Sequence, residues 1–497
     1  MSFGNTIDHL SRWWRRDATA DLGASLVVFL VAVPLCVGVA VASGAPAELG
    51  IVTGIVGGLV VGLLPGSSLQ VSGPAAGLTV LVAEAVARHG LPALGVIVLA
   101  SGLLQIGMGL ARLGGWFQAI SPSVVQGMLA GIGLVLLLGQ TYPLFGAAQP
   151  GTTLEKVLGL PGLAARLGEP RIAATLGVGV LAVAVVVLWQ KVPARLRLVP
   201  GALVAVVLTS ALVAVFGLPV ATVQVGGLGS VINLVGPHDF GLLADPAVLG
   251  TAVTFALVAS AESLFSAAAV DRMHTGQPTS YNTELVAQGV GNTAAGVLGG
   301  LPLTAVIVRS AANVQAGART KASRVLHGAW LLLFAVWLPN LLALVPLTTL
   351  AALLLHAGWK LLDLRQLVAL ARAHRVEASI VVLTAGAIAA VDLLVGVLVG
   401  LAAAIAKAAW DVSHFHVTWQ QDDDDLVVRL SGNATFVRLP RLLAALHEVP
   451  SADRVRLDLS GVRHLDRACH QAVENWAAQR RRTDSDVRVS LPAEAVA

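Results

Sequence analysis

The chain has 497 residues, 56% of them apolar and 12% charged, with a mean hydropathy of +0.80. These values exclude a string of ordinary soluble domains. A net charge of +4 and a pI near 9.4 point to membrane topology rather than to nucleic acid, because Lys and Arg are retained in cytoplasmic loops. Two cysteines, Cys36 and Cys469, exclude a disulfide framework and a four-thiolate metal site.

Charge divides the chain. Asp21 to Asp411 holds 32 charged residues in 391, whereas Val412 to Ala497 holds 23 in 86. The shift predicts a cytoplasmic N-terminal segment over 1–20, a transmembrane domain over 21–411 and a small soluble domain over 412–497. Arg12, Trp13, Trp14, Arg15 and Arg16 precede an apolar run that starts near Leu22 and reads as an uncleaved first span, since no small-residue cleavage site follows. From there to Trp410 the apolar stretches divide into fourteen segments, several of them short or interrupted by Gly and Pro. An even number puts both termini on one side. With the N-terminus inside, twelve basic residues fall on the cytoplasmic side (Arg112, Lys191, Arg195, Arg197, Arg272, Arg319, Lys321, Arg324, Lys360, Arg365, Arg372 and Arg375) and four on the other (Arg88, Lys156, Arg166 and Arg171). This predicts a multi-pass inner-membrane protein with cytoplasmic termini.

The two halves share a feature at matched offsets. Ser72-Gly73-Pro74-Ala75-Ala76-Gly77 lies about 52 residues into the first half and Gly299-Gly300-Leu301-Pro302-Leu303-Thr304 about 54 into the second, each a Gly/Pro break before a short apolar helix. Two helix N-termini facing each other present free amides and positive dipole ends, and would hold an anion without placing a full charge in the membrane. Glu262 stands alone in the uncharged run Phe255 to Ala269, where a carboxylate pairs, binds a cation or takes a proton. Arg309 is costly at membrane depth and is a candidate anion-attracting charge, with pairing to a carbonyl or to Glu262 as the structural alternative. Glu84, Arg88 and His89 read as a solvated surface cluster. His327 and His356 read as satisfied core histidines.

In the tail, Leu426–Leu430 and Val455–Leu459 have strand character, and Leu439–His447 and Ala468–Arg481 helical character, which predicts a small α/β domain. The acidic run Asp422 to Asp425 reads as a solvated loop.

These features resemble the sulfate permease (SulP) family of anion transporters, prokaryotic relatives of solute carrier family twenty-six. The similarity rests on Asp21-Leu22-Gly23-Ala24 leading to Val33-Pro34, on Val71-Ser72-Gly73-Pro74, and on a long string. That string runs from Ala261-Glu262-Ser263-Leu264 through Asn282-Thr283-Glu284-Leu285, Gln288-Gly289-Val290-Gly291-Asn292 and Gly299-Gly300-Leu301-Pro302 to Arg309-Ser310 and Asn313 to Thr320. The tail is similar to a STAS domain through Leu457-Asp458-Leu459-Ser460-Gly461-Val462 and Leu465-Asp466. The resemblance implies an α-helical polytopic fold of seven plus seven inverted repeats. Spans 1 to 4 and 8 to 11 then form a core domain and the rest a gate domain, in a homodimer. It places substrate between the third and tenth spans, with Ala75, Ala76 and Gly77 opposite Leu303, Thr304 and Ala305 as backbone donors and Ser72 and Thr304 as hydroxyl contacts.

Two departures bear on substrate and coupling. Sodium-coupled bicarbonate members resemble an Asp at the position of Glu262, with hydroxyls at the equivalents of Ser266 and Ile307. Here Ile307 removes an oxygen ligand, which favours a proton over sodium. Many sulfate-type members resemble Pro-Gln in span 1, whereas this chain has Pro34-Leu35-Cys36, so Cys36 stands on the site wall without a side-chain amide and bicarbonate or a dicarboxylate gains ground against sulfate. In the tail, Arg467, Ala468 and Cys469 follow Asp466 where bacterial regulators carry a phosphorylatable serine, which argues against a phosphoswitch there. The expectation is a proton-coupled secondary transporter of small inorganic or carboxylate anions, working by alternating access among membrane lipid, with Glu262 as the coupling residue. It needs no cofactor or metal, binds no nucleic acid and is not an enzyme, since no Walker loop, zinc spacing or nucleophile elbow occurs. An anion channel or exchanger, a nucleobase permease, or a membrane anchor for a signalling STAS domain are the alternatives.

Overall fold

A computed structural model describes residues 17–118, 121–193, 199–226, 228–422, 425–482 and 486–490. Arg12 to Arg16, Arg195, Arg197, Asp423 and Asp424 lie outside the described residues. The chain separates into two compact units, Met1–Gly400 and Leu401–Ala497.

The first unit is helical because its sequence is apolar on every side, which suits lipid outside and packed neighbours inside. It opens with α1 (Ala18–Ala42) and α2 (Ala47–Val56), the latter continued by a π turn over Gly57–Val61. A short strand, β1 (Ser72–Pro74), leads through a 3-10 turn (Ala76–Leu78) into α3 (Thr79–His89). There follow α4 (Leu91–Leu110), α5 (Pro122–Leu144), α6 (Thr153–Ala165), α7 (Pro170–Trp189) and α8 (Gly201–Phe216). The second half repeats the order with α9 (Pro246–Asp271), α10 (Tyr281–Val297), β2 (Leu303–Ala305) and α11 (Ile307–Gln315). It ends with α12 (Ala322–Trp337), α13 (Leu347–Leu362), α14 (Leu364–Ala373), α15 (Arg375–Ala390) and α16 (Leu393–Val412). Proline opens α5, α7 and α9, where its missing amide costs nothing.

Among the described residues, seven helices are long and apolar enough to cross a membrane, and three shorter apolar ones lie at 47–61, 201–216 and 322–337. The strand-plus-half-helix units β1–α3 and β2–α11 fall at equivalent places in the two halves, as the Gly/Pro breaks predict. Packing follows the same duplication. The α4 helix lies on α10, and the α2 helix with its π turn lies on α12. The backbones touch at glycine pairs in both contacts, Gly102 with Gly289 and Gly58 with Gly328, the close approach that small residues allow between membrane helices.

The second unit contains a four-stranded sheet in the order β3-β4-β5-β6, from β3 (Phe415–Asp422), β4 (Asp425–Ala434), β5 (Arg454–Leu465) and β6 (Asp486–Ser490). The β3–β4 pair is antiparallel and the others parallel, with α17 (Leu439–His447) and α18 (Arg467–Arg482) as crossovers. Val428, Leu430, Leu442, Leu457, Val473 and Cys469 form its core. Asp466 caps α18 by accepting from the Cys469 amide at 2.8 Å, and also accepts from the Phe436 amide. Cys469 itself is fully buried.

Candidate functional site

The two chain breaks meet. β1 and β2 pair antiparallel with Ser72 opposite Ala305, Gly73 opposite Thr304 and Pro74 opposite Leu303. The pairing extends through the Val306 amide, which donates to the Val71 carbonyl at 2.9 Å, and the Val71 amide, which donates to Ser310 Oγ at 2.9 Å. Each strand then turns into a helix without a side-chain cap: Ala75 precedes the 3-10 turn and Val306 precedes α11. The first amides of these helical segments, at Ala76 and Gly77 on one side and Ile307, Val308 and Arg309 on the other, have no partner within their own helices. Two positive dipole ends therefore converge on one crossing. The Ala76–Leu78 turn also packs on α5 and α13, and Ala76 packs against Val39, Ala42 and Leu354.

Several groups named from sequence are already engaged within the fold. The Leu303 amide donates to Asn292 Oδ1 at 2.7 Å and its carbonyl accepts from Asn292 Nδ2 at 3.0 Å, while the Ala305 amide donates to Ser263 Oγ at 3.2 Å. Thr304 lies in the ladder with Gly73. Ser72 Oγ accepts from Gln288 Nε2 at 2.7 Å. On the β2 side the available donors consequently lie further along, at Ile307 to Arg309.

Sequence reasoning missed the residues that fix the crossing. Glu284, Gln288 and Asn292 stand one turn apart on α10, all buried. Glu284 accepts from Gln288 Nε2 at 2.7 Å and from the Ser67 amide at 2.8 Å, and Asn292 Nδ2 donates to Gln105 Oε1 at 2.7 Å. Their spacing of four, which puts three large polar side chains on one face of α10, was the available signal.

Glu262, on α9, approaches the crossing from one side. A Cβ placed on Gly77 would overlap its carboxylate. Its Oε2 is buried without a hydrogen-bond partner among the described residues, and the Thr304 hydroxyl lies beside the carboxyl. Ser266 is buried one turn further along.

Arg309 is fully buried. Its Nη2 donates to the Pro74 carbonyl at 3.3 Å, whereas Nε and Nη1 have no hydrogen-bond partner among the described residues. The guanidinium fills the space left by the missing side chain of Gly73 and lies beside the Cys36 thiol. Of the two structural pairings open to it, the carbonyl is used, and no ion pair joins it to Glu262 among the described residues. His327 departs from the satisfied core residue expected: Nδ1 faces the Arg324 carbonyl at 3.3 Å, but Nε2 is buried without a partner among the described residues. The same holds for Nε2 of His356.

An uncapped helix pair, the Glu262 carboxyl and a fully buried guanidinium thus surround one crossing. Residues 19–384 match the Sulfate permease family and residues 417–497 the Mlab, STAS domain. The chain belongs to the sulfate permease family and carries a STAS domain. It is 29% identical to the putative sulfate transporter YvdB of Bacillus subtilis (strain 168) over 385 residues, covering 77% of this chain and 72% of that one. It is 26% identical to the bicarbonate transporter BicA of Picosynechococcus sp. (strain ATCC 27264 / PCC 7002 / PR-6) over 504 residues, covering 93% and 86%. The solved transmembrane domain of a cyanobacterial BicA superposes with a TM-score of 0.66 at 25% identity, covering 78% of this chain and 98% of that one. Murine Solute Carrier 26 family member A9, in an inward-facing state, shares the fold with a TM-score of 0.78 at 16% identity, over 98% of this chain and 89% of that one.

Proposed function

We propose that this protein is a secondary active transporter of small inorganic or carboxylate anions (sulfate, bicarbonate or a dicarboxylate), that it couples transport to a proton through Glu262, and that it works by alternating access. The observation that carries this is the meeting of two uncapped helix N-termini at the β1–β2 crossing, with Glu262 against Gly77. Dipole ends and free amides supply the anion's counter-charge, and Arg309 adds a full positive charge behind β1. A lone carboxyl with one buried, unpartnered oxygen beside the anion's helix starts is the side chain placed to carry a proton with the anion, which is what coupling needs. Family membership and the BicA relatives support the anion class. Residues 21–411 then act as the membrane domain and 412–497 as a cytoplasmic STAS domain, in an inner-membrane homodimer with both termini cytoplasmic.

The test is uptake of labelled sulfate, bicarbonate and fumarate into proteoliposomes under an imposed inward proton gradient, with a sodium gradient as control. Proton-driven accumulation of one of them supports the proposal. Anion currents without accumulation of any would replace it with a channel.

A further inference from the structure

The α3 helix starts at Thr79, two residues past Gly77 and beside the crossing, and carries Glu84 on its way to His89. Arg88 is exposed, as the surface cluster read from sequence requires, but Glu84 is half-buried. It lines a cavity of about 280 Å³ bounded by the end of α1, by α3, by α5 and by the start of α6, with Thr79, Gln140 and Lys156 also on its wall. Gln140 and Lys156 are 3% and 6% exposed. Neither the Gln140 amide group nor the Lys156 ammonium has a hydrogen-bond or ion-pair partner among the described residues, and the Thr79 hydroxyl is buried without one.

Lys156 is held there. Thr152 and Glu155 close a capping box at the start of α6, and the Tyr142 hydroxyl donates to the Lys156 carbonyl at 2.6 Å. Gln149 Nε2 donates to the Ala42 carbonyl at 3.0 Å and fixes the loop before it. A buried ammonium with no direct ion pair, attracted only through space by the Glu84 and Glu155 carboxylates, is expensive and suits a ligand that arrives as an anion.

The wall also has a sign pattern. Lys156 can only donate and the Glu84 carboxylate only accept, while the Gln140 amide and the Thr79 hydroxyl can do either. A monoanion that keeps an acidic hydroxyl can satisfy both, placing its oxygens on Lys156 and Gln140 and its O–H on Glu84. A dianion with acceptors only meets Glu84 as a like charge. We propose that this cavity is a vestibule site leading to the crossing, in which Lys156 binds and Glu84 selects hydrogen-bearing monoanions, of which hydrogencarbonate is the simplest, over dianions such as sulfate.

This rests on the transport reading above, and the test separates the two. Uptake of labelled bicarbonate and labelled sulfate is measured in proteoliposomes for the parent chain, Lys156→Gln, Lys156→Arg and Glu84→Gln. We expect Lys156→Gln to raise KM for bicarbonate about tenfold, the loss of one charge-assisted contact, with Lys156→Arg restoring it. Glu84→Gln should shift the ratio of kcat/KM toward sulfate by about tenfold. A parent that transports while Lys156→Gln keeps its KM, or Glu84→Gln keeps the ratio, overturns the vestibule alone. A loss in Lys156→Gln confined to kcat also overturns it, returning Lys156 to a structural role. A parent that moves fumarate but neither of these anions overturns the vestibule alone, and a parent that moves none of the three overturns both proposals.

Discussion

Gly77 leaves room for nothing but hydrogen between its α-carbon and the Glu262 carboxylate. The glycine belongs to the first half of the chain and the acid to the second, so the contact joins one helix start that offers amides to the only charged side chain of the Phe255 to Ala269 run. Gly77→Ala would push the carboxyl off this position. We expect normal membrane insertion, a stability loss of about 1–3 kcal/mol from overpacking, and loss of proton-driven uptake, read by comparing uptake with thermal melting in detergent. Full uptake by a folded Gly77→Ala protein would separate Glu262 from the site.

Glu262→Gln keeps the shape and removes the titration. It should abolish accumulation driven by a pH gradient while leaving exchange of internal for external anion measurable. Equal gradient-driven uptake in variant and parent would end the coupling role.

Arg309 gives the opposite balance of stability and affinity. Its Nε and Nη1 are buried without partners among the described residues, a desolvation cost that Arg309→Met removes. The variant should melt no lower than the parent, yet bind its anion about tenfold more weakly for want of the charge. Equilibrium binding and melting on the same preparation decide it: lower melting with unchanged affinity would make Arg309 structural.

Asn292→Ala should do the reverse. It strands both the amide and the carbonyl of Leu303, at a cost of about 2 kcal/mol or more, and loosens β2. A melting temperature equal to that of the parent would refute the bracing role of α10.

Cys469 offers a pH-dependent test in the STAS unit. Burial, then the neighbouring Asp466 carboxylate, push its thiol up to about 12 from an ordinary value of 9.0. Because the folded state holds the proton more tightly, the stabilisation is complete below the ordinary thiol range and is lost as pH rises toward the folded value. At a pH of about 8.5, near the ordinary thiol value, the thiol should resist iodoacetamide in the native protein and react in denaturant, as peptide mapping would show. Rapid native labelling would contradict its burial.

The crossing itself was legible because Pro74 and Pro302 interrupt apolar runs at matched distances from the start of each half, and proline acts locally on the backbone. Glu262 and Arg309 stood out because charge is rare in such runs. The commitment of the Leu303 and Ala305 amides could not be read, since their partners Asn292 and Ser263 come from other helices and only packing brings them within bonding distance. Counting basic residues assigns Lys156 to a side of the membrane, but a count has no power to show that its ammonium turns inward toward Gly139 on α5.

The pairing of Gly73 with Thr304 has a mechanical consequence. A backbone ladder between the halves works as a cross-tie: the amides of Ala76 and Gly77 cannot be drawn away from those of Ile307 to Arg309 without breaking main-chain hydrogen bonds where no water replaces them. In the alternating access proposed above, release by parting the two helix starts would be barred. A displacement that exposed the cradle to one side and then the other would carry both starts, with Glu262, as a single load sliding past α5 and α13.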